Sequence, residues 1–296
     1  MSADRPSAPA RPTVAVLGTG TMGAPMARRI AAAGLPLRVW NRSRAKAEPL
    51  AEVGAVVADD VAGAVRGADV VVTVLLDADA VAAVVEQARG SLGPGAVWLQ
   101  MSTVGVEGAQ RLAGLADDLG VAFVDAPVLG TKGPATDGAL VVLAAGPAPL
   151  REAVTPVLEA VGSRTLWQDE AGAGSRLKLA CNAWVLAQVE AAAESLHLAA
   201  ALGVDPHLVL SAVAGGASDS AYLQLKGTAM LDDAVDEPSF PLAGARKDAG
   251  LIVEAATAAG LDLAVARAVR ARFDAAAEQG LGGADVAATH RASRTA

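Results

Sequence analysis

Cysteine is almost absent from this chain of 296 residues. Cys181 stands alone, which excludes an intrachain disulfide and a thiolate metal cluster and fits a reducing, cytoplasmic home. Histidine is scarce as well. His197, His207 and His290 are dispersed along the sequence, and no run of His, Asp and Glu has metal-ligand spacing, so no metal is expected. Positive charge is in deficit: 24 Lys and Arg against 32 Asp and Glu give a formal charge of -8. That balance argues against a nucleic-acid partner or an anionic membrane surface and confines any cationic site to a local pocket. A G-x-S-x-G elbow is missing and Cys181 has no nearby His, so a hydrolase would lack its nucleophile.

Long hydrophobic runs are missing too. Residues 70–76 are too few to span a bilayer, and the stretch 177–204 is interrupted by Lys178, Asn182, Gln188, Glu190, Glu194 and His197, so no membrane span is expected. Residues 1–12 are rich in Ala, Pro, Ser and Arg without an apolar core. They read as a disordered tail rather than a signal peptide.

The chain does hold 53% hydrophobic residues and 31 glycines, enough for two packed domains. From Thr13 to about Gln168, β-branched runs (14–17, 37–40, 70–75, 97–100 and 122–124) alternate with helical patterns, and further runs at 139–144 and 164–167 flank a helix over 150–161. Such alternation predicts a mostly parallel sheet with helices on both faces and ligands beyond the carboxyl ends of the strands. After Gly172-Ala173-Gly174 the pattern turns helical without a break from Ser175 to Leu202, and Gly203 ends it. Helical segments then follow at 206–213, 222–231, 242–259 and 263–279. The predicted organisation is an α/β domain over 13–172 and an all-α domain over 173–290, the latter including the long interdomain helix.

The first strand runs into Gly18-Thr19-Gly20-Thr21-Met22-Gly23. In a G-x-G-x-x-G turn the first glycine makes the tight turn, the second lets backbone reach a pyrophosphate, and the third lets helix and strand pack closely, with the helix N-terminus facing the anion. Pro25 falls in the helix's first turn, where its missing N–H costs nothing, and the second strand follows on schedule. Together these mark a Rossmann dinucleotide-binding domain. At the end of the second strand, where NAD sites usually carry an Asp or Glu for the ribose, the sequence reads Asn41-Arg42-Ser43-Arg44. With no carboxylate to repel a 2′-phosphate, and with guanidinium and hydroxyl groups to bind it, NADP(H) is expected over NAD(H). Arg42 is the better candidate of the two arginines. The alternative is that both are solvated charges at the start of a helix over 45–53.

On the long helix Lys178 and Asn182 share a face in apolar company. A lysine ammonium can protonate the alkoxide left by hydride transfer to a carbonyl, with Asn182 orienting substrate or lysine. Spacing alone equally allows a lysine stem that snorkels to solvent. Lys247-Asp248 forms a second pair, with Asp248 on the face marked by Leu242, Ala245, Ile252 and Ala255. A carboxylate there needs a partner, whether a cationic group in a cleft or an interhelical ion pair, and Lys247 can reach a cofactor. Glu190 and Glu194 are expected on a solvated or interface stripe, without a catalytic role.

These blocks, in order, resemble the β-hydroxyacid dehydrogenase family that includes 3-hydroxyisobutyrate dehydrogenase, across nearly all of 13–289. The matching residues are 18–27, Met101-Ser102-Thr103-Val104, Asp125-Ala126-Pro127-Val128, the stretch from Gly172 through Lys178 to Asn182, and Phe240-Pro241-Leu242 with Lys247-Asp248. Within the family, Trp40-Asn41-Arg42, Lys132, Ala135 and Leu143-Ala144-Ala145-Gly146 look closest to the NADPH-dependent glyoxylate and succinic semialdehyde reductases. The resemblance implies that Lys178 is the catalytic acid with Asn182 its neighbour, that Thr103 and Lys247 contact the cofactor, and that Phe240 and Asp248 belong to the wall of an interdomain cleft. It also implies that the helical domain mediates a homodimer or homotetramer and that the substrate is a small molecule. One departure stands out: Leu129 replaces the family's serine in the substrate loop, leaving Gly130 and Thr131 backbone N–H groups to bind a carboxylate in a more apolar pocket. Imine reductases resemble this architecture and would suit Leu129, although they usually place another residue type at Lys178. A non-catalytic dinucleotide-binding scaffold is the other rival, and retained Lys178 and Asn182 oppose it.

Overall fold

The computed structural model describes residues 11–292, so the tail expected over 1–12 lies outside the described residues except for Arg11 and Pro12. The chain divides between Ser175 and Arg176 into two compact units.

In the first unit, nine strands among the described residues form one sheet. They are β1 (Val14–Leu17), β2 (Leu37–Trp40), β3 (Val56–Val57), β4 (Val70–Thr73), β5 (Val97–Gln100), β6 (Ala122–Asp125), β7 (Val128–Leu129), β8 (Leu140–Ala145) and β9 (Gly162–Gln168). Their order is β3-β2-β1-β4-β5-β6-β8-β7, with β9 beside β8. Strands β3 through β6 pair in parallel, whereas β8 runs antiparallel to β6 and β7. The helices of this unit are α1 (Gly23–Ala32), α2 (Val61–Val65), α3 (Ala78–Glu86), α4 (Gly105–Leu119), α5 (Lys132–Asp137) and α6 (Arg151–Val161).

Side chains alternate across a strand, so β1 feeds two cores. Val14 and Val16 pack in one layer with Met26 and Ile30, while Ala15 and Leu17 pack in another with Val61 and Val65. A third cluster joins Val81, Val85, Trp98 and Leu112. Strands buried on both faces need the continuous apolar runs seen at 14–17 and 70–72. Helix ends follow local chemistry: Asp60 and Asp77 accept N–H bonds from Gly63 and Ala80 at the starts of α2 and α3, and Gly120, with φ 64, closes α4.

The helix expected over 45–53 is instead two 3₁₀ segments, Arg44–Lys46 and Glu48–Val53. Leu50 is the one buried residue in either segment, and without an apolar face to pack, an α-helix lacks its main source of stability. Strands β3 and β7 span two residues each, too few to show a period in sequence.

The remaining helices are α7 (Ala173–Ala201), α8 (His207–Val213), α9 (Ala221–Leu231), α10 (Leu242–Ala258), α11 (Ala264–Glu278) and α12 (Thr289–Ala292). Apart from the first residues of α7, all belong to the second unit, which has the all-α character predicted. Among the described residues no helix is long and apolar enough to cross a membrane.

Gly174, in the first turn of α7, owes its identity to tight packing. A Cβ on Gly174 would lie 2.2 Å from the Leu143 carbonyl oxygen and 2.9 Å from that of Asp125. Gly174→Ala should therefore destabilise the protein by about 1–3 kcal/mol. The exposed mid-helix Gly114, with nothing within 4 Å of its Cβ position, should gain about 1 kcal/mol on substitution by Ala. Thermal melts of the two variants check both signs.

Candidate active site

The turn between β1 and α1 has the shape its sequence demands. Gly18 has φ 104, and a Cβ there would meet the Val74 carbonyl oxygen at 2.3 Å. One on Gly23 would meet the Gly18 carbonyl oxygen at 1.9 Å. Gly20, by contrast, is exposed and has open space at its Cβ position, so a ligand can approach its backbone. Thr21 is exposed and Met22 half-buried. The first turn of α1 holds no acidic residue and no side-chain cap, which leaves its positive end free for an anion. Thr19 is buried, and its Oγ1 has no hydrogen-bond partner among the described residues. This donor set fits the pyrophosphate of a dinucleotide.

Beyond β2, Arg42 and Ser43 are exposed. Arg42 makes no ion pair among the described residues, whereas Arg44 is held by Glu48 at 3.3 Å and Asp59 at 2.5 Å. The Asn41 side chain accepts the Thr19 N–H at 3.0 Å and donates to the Ser43 carbonyl at 2.9 Å.

At the carboxyl ends of β4, β5 and β6 lies a buried polar network. Ser102 Oγ accepts the Leu75 N–H at 2.9 Å, and Gln100 clasps the Ser102 backbone through its own amide, at 2.6 and 2.9 Å. Thr103 follows, half-buried. Asp125, fully buried, accepts the Ser175 N–H at 2.7 Å and its hydroxyl at 2.9 Å. A carboxylate at a helix N-terminus is favoured by the dipole as well as by the bonds. Sequence reading noted Asp125 only through the family likeness. Its partner lies 50 positions away, beyond any local pattern.

Leu129 sits half-buried in β7 opposite Val141. Gly130 follows with φ 124, where a Cβ would strike Leu140 at 2.7 Å. Thr131 precedes α5 with extended backbone and no side-chain cap bond.

In the second unit Lys178 is 8% exposed and Asn182 2%, so the snorkelling alternative is excluded. Asn182 Nδ2 donates to Asp248 Oδ2 at 2.7 Å, joining α7 to α10, and Lys247 Nζ lies 2.9 Å from Asp248 Oδ1. The apolar-face carboxylate is therefore partnered by its own neighbour and by the α7 amide. Burial lowers the Lys178 pKa to about 8; Asp248 opposes that shift, Lys247 adds to it and Cys181 opposes it. Burial therefore sets this lysine well below the ordinary lysine value.

Phe240 is half-buried, and its N–H donates to Asp285 at 3.2 Å. Asp285 also accepts from Ser239 N–H and hydroxyl, Ala287 N–H and Lys226 Nζ, the last at 2.6 Å. Burial raises the Asp285 pKa, but the Ala287 N–H and Lys226 hold it below the ordinary value. The Lys226–Asp285 pair, buried on both sides, was invisible in sequence because nothing distinguishes Lys226 from a surface lysine of an amphipathic helix.

Residues 13–169 match the NAD-binding domain of 6-phosphogluconate dehydrogenase, and residues 172–293 match the NAD-binding region of NADP-dependent 3-hydroxyisobutyrate dehydrogenase. The chain belongs to the β-hydroxyacid dehydrogenase family. It is an oxidoreductase, an NAD(P)-dependent hydroxyacid dehydrogenase or reductase that binds a nicotinamide dinucleotide. It is 30% identical to glyoxylate/succinic semialdehyde reductase 2 of Arabidopsis thaliana, over 96% of this chain and 80% of that one. The crystal structure of a 3-hydroxyisobutyrate dehydrogenase from Salmonella typhimurium superposes with a TM-score of 0.87 at 27% identity, covering 94% and 99% of the two chains. An imine reductase from Myxococcus stipitatus in complex with NADP+ shares the fold, with a TM-score of 0.63 at 23% identity over 96% and 100% of the chains.

A further expectation fails in this dehydrogenase. Glu190 is buried, not solvated, and accepts the Thr289 hydroxyl at 2.5 Å through Oε1 while Oε2 has no partner; Glu194 is exposed. His197 and His290, far apart in sequence, stack with ring centroids 6.3 Å apart. Burial raises the Glu190 pKa to about 7, against the pull of Thr289 and Arg272. A carboxyl raised on folding favours the neutral form, so its contribution is complete below about pH 4.5 and is lost as pH rises through 7. Glu190→Gln should therefore match the wild type near pH 4.5 and exceed it at pH 8.5 by on the order of 3 kcal/mol. Melting curves at the two pH values measure the difference.

Proposed function

We propose that this enzyme is an NADPH-dependent reductase of small carboxylated aldehydes or ketones of glyoxylate, succinic semialdehyde or 3-hydroxyisobutyrate type, running in reverse on the hydroxyacids, with Lys178 as the general acid. The observation that carries this reading is the buried Lys178, with its pKa lowered to about 8 and Asn182 one turn further along α7.

The bound dinucleotide supplies or takes up the hydride. Lys178 Nζ donates a proton to the carbonyl oxygen as negative charge develops there, and its cationic form stabilises that charge in a water-poor setting. At pH 7 a lysine of pKa about 8 is roughly nine-tenths protonated, the form reduction needs. Asp248 keeps the ammonium from losing its proton at still lower pH, and Asn182, held by Asp248, orients the substrate or the lysine. Gly18, Thr19, Gly20, Thr21, Met22 and Gly23 cradle the pyrophosphate, Asn41, Arg42 and Ser43 serve the 2′-phosphate end, and Thr103 and Lys247 complete the cofactor contacts. Leu129, Gly130, Thr131, Phe240 and Asp248 serve the substrate.

The proposed domains are 13–172 for the dinucleotide and 173–290 for substrate and assembly. The exposed Trp184 and Leu198 on α7 and Leu202 just past its end support a homodimer or homotetramer. A single cysteine supports a cytoplasmic home.

The half-buried Leu129 favours a second reading, reduction of an uncharged aldehyde or an imine. NADPH oxidation followed with glyoxylate, succinic semialdehyde, an uncharged aldehyde and a cyclic imine separates the two. Preference for the carboxylated aldehydes supports the first reading, turnover confined to the others supports the second, and NADPH binding without any turnover would leave a scaffold. Leu129→Ser should improve kcat/KM for the short carboxylated aldehydes; no gain would mean the loop holds substrate by other groups.

Lys178→Ala should cut reductive turnover by roughly 10²- to 10⁴-fold with NADPH binding retained. The kcat for reduction should fall as pH rises through about 8, and that for oxidation should rise through the same value. Unaltered turnover in the variant, or a pH profile flat from 7 to 9, would remove Lys178 from the mechanism.

A further inference from the structure

The two loops that open the nucleotide site are tied together by one side chain. Leu17 of β1 lies opposite Trp40 of β2, and the Gly18 N–H donates to the Trp40 carbonyl at 2.9 Å. One step further the strands have ended, and the next rung is made by a side chain: Asn41 Oδ1 accepts the Thr19 N–H at 3.0 Å. The other end of the amide, Nδ2, donates to the Ser43 carbonyl at 2.9 Å. Its orientation is fixed by chemistry, since the oxygen alone can accept from an N–H and the NH2 alone can donate to a carbonyl. The second bond closes a three-residue turn with Arg42 at its tip. Arg42 is exposed and unpaired among the described residues, while Arg44 is already engaged by Glu48 and Asp59.

We propose that Asn41 is a positioning residue that couples the pyrophosphate turn to recognition of the ribose 2′-phosphate, bracing Thr19 with one end of its amide and presenting Arg42 with the other. The inference rests on the reading of Arg42 as the 2′-phosphate ligand and adds to it a specific dependence. Each end of the amide is engaged by the protein's own backbone, at Thr19 and at Ser43, so Asn41 acts through the backbone of both loops. Selectivity for the phosphorylated dinucleotide then belongs to the Asn41–Arg42 unit and not to the guanidinium alone.

The test measures binding, not turnover: titration of NADPH and of NADH by nicotinamide fluorescence with the wild type, Arg42→Ala, Asn41→Ala and the double variant. Arg42→Ala should weaken NADPH at least about ten-fold and NADH less than about three-fold. Asn41→Ala should weaken both dinucleotides and abolish most of the preference between them. In the Asn41→Ala background, Arg42→Ala should cost NADPH less than about three-fold more, because residues acting as one unit are not additive. Penalties that simply multiply would overturn the coupling while leaving Arg42 as the phosphate ligand; unchanged NADPH affinity in Arg42→Ala would overturn both. Asn41→Asp keeps an acceptor for Thr19 and loses the donor to Ser43, so it guards against a variant that fails to fold. Its NADH affinity should stay within about three-fold of the wild type, and a loss of NADH binding as large as that of a folded Asn41→Ala, or at least ten-fold when Asn41→Ala does not fold, would overturn the bracing role.

Discussion

A carboxylate taken out of water must be given donors, and this requirement organises both units of the protein. Asp125 takes the N–H and hydroxyl of Ser175, Asp285 takes five donors from Lys226, Ser239, Phe240 and Ala287, and Asp248 takes Asn182 and Lys247. Each joins segments distant in sequence. Because an unpaired buried charge costs several kcal/mol while a hydrogen-bonded one is tolerated, these bonds fix position more than they add stability. The first turn of α7, the Phe240 segment and the Asn182 face of α7 are each held at such a carboxylate.

Lys178 is the counterpoint. Burial disfavours its charge strongly enough to bring its pKa to about 8, with Asp248 as the main force opposing the shift. Lys226 is as deeply buried and donates to Asp285 and to Ser239. The two lysines show how one residue type divides into roles. Lys226 braces its helix through the bond to Asp285, whereas a lysine with a pKa about 8, in the role proposed for Lys178, can give or take a proton near neutral pH. Asp248, which stabilises the charged form, is itself partly neutralised by Lys247.

The phosphate turn shows the same economy in backbone. Gly18 and Gly23 are excluded from carrying a side chain by carbonyl oxygens, while Gly20 is bare for the opposite reason, to leave room outward. Asn41 then extends the β1–β2 ladder past the end of the strands, so the glycine turn after β1 and the Arg42 turn after β2 share a brace. The two hydrogen bonds of Asn41 place it inside the protein's own framework.

Sequence by itself determined the βα alternation, the phosphate turn, the helical second unit and the pairing of Lys178 with Asn182 on one helix face. All of these are local: they follow from periods of two and 3.6 residues, from glycine's freedom, and from apolar runs that must be buried. Only the tertiary structure decided which polar groups leave water. The burial of Glu190, the Asp125–Ser175 and Lys226–Asp285 bonds, the stacking of His197 on His290 and the displaced pKa of Lys178 depend on partners 50 or more residues away or on the summed exclusion of solvent. The 3₁₀ segments at 44–53 failed as a helix for a related reason: propensity proposes a helix, but only an apolar face with something to pack against keeps one.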